Sequence, residues 1–195
     1  MKSEALIHEV KLITQSGMEL VRKKLTHIAP NQMHWKPSED AWSILEVIAH
    51  LNCYTQYYNK EIDEKLAATR YNSPIEYFVS SPLGKSAWKS MKLGNQKNIK
   101  RKFKSPKNFN PVYTPELITE NPLDDYQALN KQFIEIVEKT KNFNLRKVRL
   151  SLSISKIAKL RLGDVLLFIA YHHERHIQQI INVLQNKNFP QKVYE

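Results

Sequence analysis

The chain has 195 residues, 42% hydrophobic and 25% charged, which suits one soluble domain over residues 1–195 with a full-sized core. Four glycines argue against a turn-rich all-β fold, and a single cysteine, Cys53, rules out an internal disulfide. The net charge of +11 is uneven: no acidic residue falls between Glu76 and Glu116, while nine Lys or Arg residues stand between Lys85 and Lys107.

No apolar run approaches the roughly 20 residues that cross a bilayer, so no membrane partner is expected. The opening residues MKSEALIHEVKL lack the apolar core of a signal peptide, and a reducing cytoplasm is the simplest compartment. The first helix is expected over about residues 3–28. Leu6, Val10, Ile13, Gly17 and Leu20 follow its repeat, and Ala29-Pro30 stops it. A polar loop follows, holding Trp35-Lys36-Pro37 and Trp42. Ser43-Ile44-Leu45-Glu46 then matches a capping box and opens the second helix, which runs to about Ala68 along Ile44, Val47, Ile48, Leu51, Tyr58 and Ile62.

Residues 71–115 read as a long irregular connection, with five prolines and the basic run. A short helix is expected near 86–93 or 95–103. The third helix is expected over about 123–141, opened by Asn121-Pro122 and Asp124-Asp125. Val148, Leu150, Leu152 and Ile154 alternate with polar residues, as in a strand or an extended arm. The fourth helix is expected over about 162–187. Four amphipathic helices of this length imply an all-α four-helix bundle, and the connection between helices 2 and 3 is long enough to cross it.

The fourth helix carries Tyr171-His172-His173-Glu174-Arg175-His176. Residues three and four apart share a helix face. Val165, Ile169, His172, His176, Ile180 and Val183 therefore form one stripe, with two imidazoles one turn apart in an apolar seam. Burying such rings is unfavourable unless each finds a hydrogen bond or a metal. Histidines at i and i+4 on a rigid helix suit a transition-metal ion, and a pair of hydrogen-bonded core histidines is the bland alternative. His173 points about 100° away and reads as flanking or solvent-facing. Arg175 and Gln179 are candidates to support the ligands or to anchor substrate; equally, they are a surface charge and a helix amide.

A third ligand must come from another helix. His50, beside the core stripe of helix 2, is the best placed, whereas His8, His27 and His34 lack an apolar setting. Three ligands from two helices leave coordination positions open, as in catalytic sites. Glu46, one turn from His50, is a candidate to orient it, although the capping box already accounts for it. Cys53, three residues after His50, reads as a structural thiol. The run Lys97 to Lys104 is compatible with phosphate contacts, but no nucleic-acid-binding signature accompanies it, and nucleic acid is not the expected partner.

Trp42-Ser43-Ile44-Leu45-Glu46-Val47-Ile48-Ala49-His50-Leu51, then Leu162-Gly163-Asp164-Val165-Leu166, then His172-x-x-Arg175-His176-x-x-Gln179-Ile180 together resemble the DinB/YfiT-like superfamily. The resemblance extends over the Trp35-to-Pro37 loop and the Phe103-to-Pro111 arm, nearly the whole chain. It implies an up-down-down-up bundle with a metal triad matched here by His50, His172 and His176. It also implies a divalent metal (zinc or nickel being usual), a homodimer, and a small-molecule substrate. Relatives include metal-dependent hydrolases and transferases or isomerases that use low-molecular-weight thiols such as mycothiol or bacillithiol. Arg161 stands where a Ser or Thr cap often precedes the Leu-Gly-Asp unit, and the 85–107 segment is longer and more basic than usual. The leading expectation is thus a metal-dependent thiol transferase or hydrolase in detoxification or stress response. A non-enzymatic metal-binding bundle and a nucleic-acid-binding protein are its rivals.

Overall fold

A computed structural model describes residues 1–95, 98–99, 103–153 and 155–191, except for the side chains of 155–157. Lys97, Lys100, Arg101 and Lys102 of the basic run, and Ile154, lie outside the described residues. The protein is mostly helical. Its long helices are α1 (Ser3–Leu25), α3 (Ile44–Ala68), α5 (Pro122–Lys139) and α6 (Leu162–Leu184). Two shorter α-helices, α2 (Pro30–His34) and α4 (Pro82–Met91), complete the set among the described residues.

Local chemistry explains the helix starts. Ser43 accepts from the Glu46 amide at 3.2 Å, and the Glu46 carboxylate accepts from the Ser43 amide at 2.7 Å, closing the expected box on α3. α1 ends at Leu25, three residues short of expectation, with Arg22, Lys23 and Lys24 in its last turn, where cations complement the helix dipole. α2 was not expected: Pro30 opens it, and the Gln32 side chain accepts from the Ala29 amide at 3.0 Å. The short helix of the long connection overlaps the first of the two expected positions but starts four residues earlier, because the Ser81 hydroxyl caps it by accepting from Gly84 N at 3.0 Å. α6 starts at Leu162 although Arg161 provides no side-chain cap. Leu162 N donates to Val148 O at 2.9 Å and Gly163 N to Leu145 O at 3.3 Å, so a neighbouring turn satisfies donors a serine would otherwise meet.

The stretch read as a strand or an extended arm holds the first strand of an antiparallel hairpin, β1 (Arg149–Leu152) with β2 (Ser155–Arg161), pairing Arg149 with Arg161 and Leu150 with Leu160. α1 packs against α5 and α6, and so does α3, while α4 packs on α6. The α4–α6 contact is close: a Cβ at Gly84 would lie 2.1 Å from the Asp164 side chain. Asp164 is fully buried there and accepts from both the Ser81 amide and hydroxyl at 3.0 Å.

Two apolar clusters fill the interior. One gathers Val10, Tyr58, Ile62, Phe133, Val165 and Ile169; the other gathers Val21, Ile44, Ile48, Tyr126, Ile177 and Ile180. On both α3 and α6 the seam between them falls at the histidines, so the polar centre occupies the level where one core ends and the next begins. Among the described residues, no helix is long and apolar enough to cross a membrane.

Candidate metal centre

His50 on α3 and His172 and His176 on α6 converge, each offering a ring nitrogen within 4.8 Å of the others. The ring centroids are 5.1 Å apart for His50 and His172, 4.7 Å for His50 and His176, and 4.5 Å for His172 and His176. His50 Nε2 lies 3.2 Å from His172 Nε2. Two nitrogens held at 2.0–2.1 Å in a tetrahedral shell stand about 3.3 Å apart, so this spacing fits a shared ion.

The rings are oriented through their far sides. His50 Nδ1 donates to the Phe109 carbonyl at 2.6 Å, and His176 Nδ1 donates to Gln179 Oε1 at 3.0 Å. A neutral imidazole has one N–H, so both rings keep an Nε2 lone pair for the centre. His172 is clamped between aromatic faces, with Tyr54 at 4.5 Å and Phe168 at 5.9 Å. Burial holds all three rings in the neutral, ligating form: it lowers the pKa of His50 to about 4 and those of His172 and His176 well below the ordinary value. His50 and His172 are buried, while His176 is partly exposed and marks the accessible side. Among the described residues no carboxylate or thiol joins the three.

The other candidates separate. Gln179 fixes His176, as above. Arg175 is buried, with its guanidinium 5.3 Å from the Phe103 ring. Glu46 is not brought to His50; its carboxylate is taken by the Ser43 amide and by Lys36 Nζ at 2.6 Å. His173, expected to flank the stripe or to face solvent, does not face solvent and is 2% exposed. The Thr55 hydroxyl donates to Leu51 O at 2.7 Å, so it accepts from His173 Nε2 at 3.0 Å, which makes this ring a satisfied core histidine. Cys53 is half-buried, with its thiol 3.9 Å from Asn108 O and its pKa raised by burial. His8, His27 and His34 are exposed.

Two participants escaped the sequence. Trp42 lies 4.9 Å from His50 and stacks 6.1 Å from His176, walling the half-exposed side. Phe109 contributes a backbone carbonyl, which no side-chain pattern reports. The one available hint was Trp42 standing directly before the capping serine of the helix that bears His50. A cavity of about 640 Å³ opens elsewhere, between Val21, Met33, Leu45 and Pro122, and none of the three histidines lines it.

The sequence profile described as the DinB superfamily matches residues 17–180. Among solved structures, YfiT from Bacillus subtilis, described as a probable metal-dependent hydrolase with an unusual four-helix bundle topology, superposes with a TM-score of 0.56. That alignment covers 91% of this chain and 85% of YfiT at 13% identity, a likeness of fold. No curated protein sequence matches the chain.

Proposed function

The chain belongs to the DinB superfamily, and on that footing we propose that it is a divalent-metal-dependent enzyme acting on small molecules, with His50, His172 and His176 as the ligands. The observation that carries this reading is the convergence of three neutral imidazoles with no fourth protein ligand among the described residues. A structural ion is normally closed in by four protein ligands, whereas three leave room for a reactant. Zinc or nickel suits such nitrogen donors.

A divalent ion bound there would supply a Lewis acid that lowers the pKa of a thiol or a water, giving a nucleophile at neutral pH. The chain's own groups do the rest. The Phe109 carbonyl and Gln179 keep His50 and His176 aimed inward. Tyr54 and Phe168 exclude water behind His172, and Trp42 limits access beside His176. No general base is assigned, and a nucleophile already deprotonated would not need one. Transfer of a thiol to an electrophile is the leading reaction. Hydrolysis is the second reading, favoured by the description of YfiT as a probable metal-dependent hydrolase. The same reading extends to a cytoplasmic homodimer serving detoxification or stress response, on the strength of the single cysteine and the family resemblance.

The deciding experiment is metal analysis of untagged protein, wild type beside His50→Ala and His176→Ala. About one ion per chain is expected in the wild type and essentially none in either variant. Stoichiometric metal retained by both variants would sink the triad.

A further inference from the structure

The charge of the chain is divided along its length. Nine Lys or Arg residues stand between Glu76 and Glu116, and eight more, from Lys139 to Arg161, stand between Glu138 and Asp164. Neither stretch holds an acid, so all 19 acidic residues lie elsewhere and the rest of the chain is net negative.

The fold brings the two basic stretches together. α4, from the first, packs against β2, from the second. Lys85 and Lys89, one turn apart, stand exposed on α4. In the hairpin Leu150 and Leu160 are buried on one face, which leaves Arg149, Lys159 and Arg161 to the other. Arg149 stands directly opposite Arg161, and like charges so placed cost stability. Among the described residues none of these five cations forms an ion pair.

An apolar strip borders the charges. In the extended segment before α4, Phe78 is buried, while Tyr77 and Val79 on either side of it are 56% and 55% exposed. Leu83, in the first turn of α4, is 54% exposed. Arg161 Nη1 donates to Val79 O, which ties the strip to the hairpin. Glu76, the nearest acid in sequence, lies at the end of the strip away from α4. Exposed apolar side chains grouped in this way and rimmed by polar ones mark an interaction surface.

The chemistry of the face selects its occupant. A second copy of the chain related by a two-fold axis would set these cations against themselves. A nucleic-acid backbone would match the charges, but binding of that kind draws on stacking rings, and Val79 and Leu83 have none. An anionic bilayer uses both features: cations meet the headgroups, and aliphatic and tyrosyl side chains reach the boundary with the acyl chains.

We infer that α4, the hairpin and the Tyr77–Leu83 strip form one docking surface for an anionic lipid bilayer. Attachment is peripheral, since no described helix is long and apolar enough to cross a membrane. The triad uses none of these residues, so the inference stands or falls independently of the metal.

The test is co-sedimentation of untagged, full-length protein with vesicles of phosphatidylcholine, alone or mixed with phosphatidylglycerol. Binding to the anionic vesicles should exceed binding to the neutral ones at least about tenfold and weaken as salt rises. Lys85→Ala and Lys89→Ala should each weaken it about fivefold. Val79→Ser combined with Leu83→Ser should weaken it at least about tenfold while leaving binding to a short DNA duplex unchanged. All four positions are exposed, so thermal unfolding should stay as in the wild type.

Equal binding to the two kinds of vesicle, a measurement that needs no variant, overturns the inference. So does anionic-vesicle binding that survives the paired serine substitutions, since charge alone then accounts for it. Tighter binding to the duplex than to anionic vesicles at physiological salt would assign the face to nucleic acid instead. A dimer that the serine substitutions dissolve, without vesicle binding, would assign it to a second copy of the chain.

Discussion

Two of the places where the bundle buries polar side chains behave oppositely. Between α3 and α5, each group is tied to the protein's own backbone. Asn52 donates to Pro122 O at 2.8 Å, Asn59 to Leu129 O at 2.9 Å, and Asn130 to Tyr126 O at 2.8 Å. His173 joins them through Thr55. Between α3 and α6, three imidazoles instead turn their outer nitrogens or faces to the protein and their inner nitrogens towards one another. The first arrangement ties its donors to fixed acceptors, although the amide oxygens of Asn52, Asn59 and Asn130 are buried without a hydrogen-bond partner among the described residues. The second leaves lone pairs converging, which is costly in a dry interior until something electrophilic arrives. Adjacent residues on one helix, His172 and His173, thus serve different ends because different helices face them.

The comparison can be broken most forcefully at the triad. Zinc at about a thousand times its dissociation constant should stabilise the wild type by about 4 kcal/mol, and His50→Ala or His176→Ala should lose that gain entirely. Thermal unfolding with and without zinc measures it. Next in size is the acid response of metal-free protein. His50 has a folded pKa of about 4 against an ordinary 6.5, so below pH 6.5 the unfolded chain takes up a proton that the folded one refuses. Stability present above pH 6.5 should therefore fall as pH drops, by about 3 kcal/mol for His50, and level off below its folded pKa. His173, lowered to about 3, adds loss in the same direction. Urea midpoints across this range, with chelator present, would refute the argument by staying flat.

A smaller effect sharpens the other region. Thr55→Val strands the His173 Nε2–H and should cost about 2 kcal/mol of stability while leaving zinc affinity within about twofold. A large drop in zinc affinity would mean that the two polar regions are coupled. Smallest, Gln179→Ala should weaken zinc about tenfold, at the low end for such supporting partners because the helix already fixes the His176 backbone. Competition against a chelating dye reads this out, with overall stability nearly unchanged.

What the sequence conveyed follows the range of each interaction. The Ser43–Glu46 box spans three residues and was legible outright, and α3 began where it predicts. The stripe through His172 and His176 was legible because helical periodicity is local. His173 was misplaced for the same reason: its rotation along the helix was known, but not that α5 would bring Tyr126 to that side, 6.2 Å from the ring. The second strand stayed hidden because Ser155–Arg161 interleaves three cations with apolar residues and no Gly, Pro or Asn marks its turn. Arg161 left the start of α6 open, since the replacement donors' partners, Val148 and Leu145, lie over a dozen residues upstream.

The reach between His50 and His172 has a kinetic consequence. Their nitrogens meet across 122 positions of chain, and the Phe109 carbonyl that steadies His50 arrives from 59 positions away. Closing such loops costs entropy that individual helices do not pay, so the helices and their nearest contacts are expected to form first. A metal that needs all three rings then binds a nearly finished molecule. Interactions absent from the folding transition state leave the forward rate alone and slow the reverse one. Loading the site should therefore lengthen the lifetime of the folded chain without hastening its formation.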